Sequence, residues 1–154
     1  MPKRNIRRLP QIESYLFEII NVEPTYSFHV AHERFEPGSY GEHLHVELTT
    51  TCLKPKKFEG RTTEFTFIGK REVIPETLDI PGGGAIANGV GTLTMRGDHC
   101  QYLGTLPYDA ASTLPLMALA GGYRFIYLSG PPTYRGSSRI QSSSFYRRFD
   151  PDDL

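Results

Sequence analysis

Four side chains able to bind a metal ion or move a proton, His29, His43, His45 and Glu47, fall in one stretch of the chain. Neutral imidazole is a ligand for zinc, copper, nickel and iron, and Glu47 adds a carboxylate. A divalent metal held there could polarise a substrate or activate water, provided one coordination position stays open. The surrounding pattern says how the four would be placed. From Tyr40 to Cys52, Tyr40, Leu44, Val46, Leu48 and Cys52 alternate with His43, His45, Glu47, Thr49 and Thr51. Successive strand residues face opposite sides, so this run reads as a half-buried strand with a polar face. Tyr26, Phe28 and Val30 alternate in the same way with Ser27, His29 and Ala31. Pairing the two arms as a hairpin with their apolar faces matched puts His29 opposite or diagonal to His43 and His45.

Pro37-Gly38 followed by His43-x-His45 resembles the first motif of the cupin family, and Pro81-Gly82-Gly83 resembles the second. The resemblance implies a jelly-roll barrel with a metal inside. It covers a short stretch, and the chain departs from it twice. Thr49 and Thr50 stand where the family's glutamate belongs, and the histidine due after the second motif is missing. The apolar side chains of the hairpin also point away from the histidines, which favours a solvated histidine surface over an enclosed metal site.

Other motifs dissolve on inspection. Asp98-His99-Cys100 has the types of a thiol nucleophile with base and acid, but on a strand His99 points away from its neighbours' side. Arg96-Gly97-Asp98 reads as a turn. The loop containing Gly82, Gly83 and Gly84 fits a loose dinucleotide pattern, but Asn88-Gly89-Val90-Gly91 cannot open the helix that pattern needs. With Tyr134 and Arg135 it is the expected ligand-binding surface. Basic and aromatic residues interleave at Tyr146, Arg147 and Arg148, which would suit single-stranded nucleic acid. The run Ser142-Ser143-Ser144 suggests an exposed edge or a pairing edge in a homodimer.

Composition narrows the function class. Seventeen basic and seventeen acidic residues cancel, whereas phosphate-gripping domains are usually strongly basic. Balanced charge also lowers self-repulsion, so a dimer is compatible with it. Two cysteines are too few for a disulfide scaffold. The first residues are basic without the apolar stretch of a secretory signal, so the expectation is a soluble, cytoplasmic protein away from membranes.

A chain of 154 residues can bury a substantial core, and we expect one domain over residues 1–154, with a basic arm at 1–9 and a frayed acidic tail at 150–154. Residues 12–22 fit both helical spacing and strand composition, with the strand preferred and ending at Glu23-Pro24. One short helix is expected, capped at Asp109, Ser112 or Thr113, with Pro115 in its first turn and Gly121-Gly122 ending it. The remainder is short strands and turns, giving a mainly-β fold: an antiparallel β-barrel or β-sandwich of six to eight strands. No catalytic constellation is complete. The expected function is a non-enzymatic binding or assembly module for a small ligand, a peptide or a second copy, needing no cofactor. A metal protein built on the histidine face and a nucleic-acid binder are the alternatives.

Overall fold

A computed structural model describes residues 11–30, 40–72, 77–79, 85–87, 89–150 and 152. The basic arm, Pro37-Gly38, Gly82–Gly84 and most of the acidic tail lie outside them. The strands are β1 (Glu13–Val30), β2 (Tyr40–Lys54), β3 (Thr62–Lys70), β4 (Thr77–Asp79), β5 (Ala85–Ala87), β6 (Gly91–Arg96), β7 (His99–Pro107), β8 (Phe125–Gly130), β9 (Ser137–Ile140) and β10 (Ser142–Tyr146). The helix α1 (Tyr108–Leu119) interrupts them. Eight strands form one sheet in the order β10-β8-β1-β2-β3-β7-β6-β9, and β4 pairs separately with β5. The two ends of that order adjoin in sequence. The chain bends at Gln141, so β9 pairs with β6 while β10 pairs with β8. The Gln141 N–H donates to the Ser129 carbonyl at 2.9 Å. The result is a barrel-like, nearly closed sheet rather than a sandwich.

Alternation places the core. Tyr15, Phe17, Leu44, Val46, Leu48, Phe65, Phe67, Leu93, Tyr102, Ile126, Leu128 and Ile140 point inward and are buried. Aromatic rings fill the centre: Phe17 meets Phe65 at 4.9 Å, and Tyr102 meets Phe65 at 5.0 Å and Phe67 at 5.4 Å. Truncating a ring such as Phe67 would remove about 3–5 kcal/mol, from lost transfer energy and the cavity left behind. Two glycines make room for Tyr102. A Cβ on Gly91 or Gly104 would stand 2.3 or 2.5 Å from its Oη.

The structure alters three details of the sequence reading. First, Glu13 to Val30 is a single strand that passes through Glu23-Pro24. Pro24 is tolerated because β8 pairs with β1 only as far as Glu18, leaving the proline on an edge. Second, the sheet is mixed rather than wholly antiparallel, since β3 and β7 run parallel. The chain crosses over between them and returns through β6, which then pairs outside β7. Third, α1 begins at Tyr108, with Pro107 at the N-cap and no side-chain cap. The Ser112 and Thr113 hydroxyls instead donate back to the Asp109 carbonyl. Pro115 therefore sits inside the helix, where it removes one backbone donor. The helix end matches expectation. Gly122 N–H donates to Met117 and Gly121 N–H to Ala118, with Gly121 at φ 72°. That closing pair of bonds requires a left-handed residue, which glycine supplies without strain.

Candidate functional site

The longest strands build the most unusual surface. β1 and β2 pair from Leu16–Lys54 to Val30–Tyr40. Their neighbours are shorter: β8 covers β1 only from Glu13 to Glu18, and β3 covers β2 only from His45 to Thr51. Beyond those limits, among the described residues, the two strands continue as a two-stranded ribbon. The alternation that buries Leu44, Val46 and Leu48 inside the barrel here leaves apolar groups outside it. Tyr26 is 55% exposed, Phe28 61% and Val30 64%. Burial follows the reach of the neighbouring elements, not the alternation alone.

A polar buttress holds the ribbon to the barrel. Glu42 on β2 accepts two hydrogen bonds from Arg71, at 2.7 Å from Nε and 2.9 Å from Nη2. It also accepts from the Tyr108 hydroxyl at 2.9 Å and the Tyr26 hydroxyl at 3.1 Å. The guanidinium of Arg71 lies over the Tyr108 ring, 3.9 Å from its centroid. One carboxylate thus ties together β1, β2, the end of β3 and the start of α1. The Arg71 hydrogen bonds lower the Glu42 carboxyl from its ordinary 4.5 to about 2, against an opposing desolvation that outweighs each of the further hydrogen bonds from Tyr108 and Tyr26. Donation to that carboxylate raises both tyrosine hydroxyls above their ordinary value.

The histidines sit on the ribbon's other face, as the alternation required. His29 and His43 are exposed, His45 is half-buried and Glu47 is exposed. The register sets Ser27 against His43, Thr25 against His45 and Glu23 against Glu47. The rings of His29 and His43 stack with centroids 5.1 Å apart and planes 7° from parallel. His45 meets His43 edge-on at 6.1 Å. Imidazole lone pairs lie in the ring plane, so stacked parallel rings direct their nitrogens side by side rather than at one point. Among the described residues, no three His, Cys, Asp or Glu side chains are grouped to hold a metal ion.

The remaining sequence candidates are scattered. Tyr134 and Arg135 occupy a tight turn, with mutual hydrogen bonds between Tyr134 and Ser137 and positive φ at Arg135 and Gly136. The Arg135 guanidinium covers the Tyr134 ring at 5.3 Å, and its carbonyl accepts from Arg96 at 2.9 Å. Gly82, Gly83 and Gly84 lie outside the described residues, so no meeting with that turn is described. Tyr146, Arg147 and Arg148 are exposed at the end of β10. Phe149 touches Tyr146 and Tyr127 there, at 6.1 and 6.2 Å. His99 faces outward while Cys100 is buried, its thiol donating to Gly97 at 3.5 Å. Burial pushes the Cys52 thiol up to about 12, away from the thiolate a nucleophile needs. Ser142 to Ser144 pair with β8 along one side.

Sequence reasoning missed that β1 runs on beyond its described neighbour on one side. From Ile20 to Val30, no described strand lies on the side that carries β8. A groove of about 320 Å³ opens beside the start of that edge, lined by Ile20, Val22, Leu119, Tyr123 and Arg124. Pro24 was the available signal, because a proline inside a strand pattern marks an edge. Among the described residues, no helix is long and apolar enough to cross a membrane. No family model, curated protein or solved structure matches the chain.

Proposed function

We propose that the chain is a non-enzymatic recognition or assembly module that engages an extended protein segment along the β1 edge of its projecting ribbon. The exposed row Tyr26, Phe28 and Val30, beside an open strand edge, carries this reading. An open edge offers backbone donors and acceptors to an added strand, and alternate side chains supply selectivity. Contiguous exposed apolar groups commonly mark interaction surfaces. The Glu42 buttress fits the role, since it fixes the ribbon and so lowers the ordering cost of docking. The packed barrel supplies the rigid frame.

The test is selection of extended peptides from a displayed library, followed by affinity measurements on variants. Tyr26→Asp and Val30→Asp are expected to abolish binding, whereas Arg147→Ala with Arg148→Ala leaves it unchanged. Peptides whose binding ignores Tyr26→Asp would defeat the proposal. A salt-sensitive affinity for oligonucleotides that disappears with Arg147 and Arg148 would put nucleic acid in its place.

A further inference from the structure

Resting on the ribbon reading, we infer that the occupant of the β1 edge is a second copy of this chain, paired antiparallel about a two-fold axis through Tyr26. A two-fold contact uses the same patch twice, so the patch must complement its own inversion. This strand meets that requirement. With Tyr26 opposite Tyr26 of the second copy, Thr25 faces Ser27, Pro24 faces Phe28, Glu23 faces His29 and Val22 faces Val30. Each pair joins residues of equal parity, so the outward polar face continues across the junction and so does the apolar face.

Charge favours this register. Between Glu13 and Val30 there is no lysine or arginine, so of the devices that usually blunt an open edge the strand carries Pro24, which withholds one backbone donor per copy, but no cation. It carries an acid at Glu23 and an imidazole at His29, equally far from Tyr26 and on the same face. Antiparallel pairing brings each Glu23 opposite the other copy's His29. That ring lies over Gly41 and against His43 in the single chain, and on swinging to the edge its N–H donates to the carboxylate whether neutral or protonated. Within one chain, Glu23 stands directly opposite Glu47, a like-charge pair in which Glu23 accepts from Asn21 at 3.3 Å. An imidazole N–H from the second copy offsets that repulsion. Shifting the register by two residues sets Glu23 against Ser27 in one direction and beyond the end of β1 at Val30 in the other, and removes both acid–imidazole pairs.

Space favours it as well. The second copy's Val30 arrives opposite Val22, which lines the groove beside the β1 edge. Ile20 and Leu119 flank that position and are 61% and 75% exposed. The apolar end of the incoming strand therefore lands on apolar surface.

Sedimentation of the full chain is expected to show a reversible dimer. Tyr26→Cys should form a covalent dimer under mild oxidation, because position 26 alone faces itself; Cys52 and Cys100 are buried. The double variant Thr25→Cys with Ser27→Cys gives the same readout without touching the Glu42 hydrogen bonds. Glu23→Lys should weaken the dimer about tenfold or more, and adding His29→Glu should restore it. A chain that stays monomeric, or a dimer whose Thr25→Cys/Ser27→Cys variant forms no crosslink, overturns the inference. A monomer that still takes up a selected peptide at Tyr26 overturns the second copy alone. A monomer that takes up none overturns the ribbon reading too.

Discussion

Two buried tyrosines should respond to loss of the hydroxyl with opposite signs. Tyr102 is 1% exposed, and its Oη has no hydrogen-bond partner among the described residues. Burial pushes this hydroxyl well above its ordinary value; Ser143 lies close enough to oppose the shift but does not complete a hydrogen bond. An unsatisfied buried hydroxyl costs about 1–3 kcal/mol. Tyr102→Phe removes that penalty while keeping the ring contacts to Phe65 and Phe67, so the fold should gain up to that amount. Tyr15 is equally buried, but its hydroxyl donates to the Pro131 carbonyl at 3.1 Å. Tyr15→Phe removes one of the two donors to that carbonyl, which keeps the Ser138 hydroxyl at 2.6 Å, and should lose roughly 0.5–1.5 kcal/mol. Urea unfolding with a shared slope separates the two variants, and melting should move about 2–4 °C per kcal/mol, up for Tyr102→Phe and down for Tyr15→Phe. A loss of 1 kcal/mol or more in Tyr102→Phe would refute the reasoning, because it would mean the hydroxyl is hydrogen-bonded in solution.

Two further outcomes follow from the ribbon. The Glu42 carboxyl sits at about 2 in the folded chain against an ordinary 4.5, so its contribution to stability is present above pH 4.5 and lost as pH falls towards 2. Glu42→Gln should flatten the acid limb of a pH-dependent unfolding series over that window; an unchanged limb would show that the Arg71 contact is not held in solution. Zinc, nickel or iron should leave the melting midpoint unmoved, because the stacked His29 and His43 rings do not converge. A midpoint rise that vanishes in both His43→Ala and His45→Ala would support the metal reading, since saturation at a hundredfold excess over Kd adds about 2.7 kcal/mol.

The parts of the fold legible in the sequence were those governed by local periodicity. Alternation from Tyr40 to Cys52 placed the histidines on one face and Leu44, Val46 and Leu48 on the other, and both placements hold. Gly121-Gly122 marked the helix end because left-handed backbone has a residue signature. Non-local facts had no such signature. The parallel pairing of β3 with β7 depends on where a crossover lands, and nothing in either strand encodes its neighbour. The exposure of Tyr26, Phe28 and Val30 was hidden for a related reason. Their alternation matches that of a buried strand, and only the shortness of β8 and β3 leaves them outside. Pro115 misled because proline usually marks a first helical turn, whereas here the helix had already begun at Tyr108.

The bend at Gln141 has a consequence for how the chain is made. A ribosome delivers β1 through β8 before the segment that joins the sheet's two ends, so the nascent sheet has raw edges on β6 and β8 until Ser137 to Tyr146 emerge. Closure therefore waits until this segment has been made, and a message cut short before Ser137 yields a product with raw margins on β6 and β8 besides the uncovered stretch of β1. Quality-control proteases would meet the truncated and the closed forms as different substrates, because β9 and β10 are what cover the β6 and β8 margins.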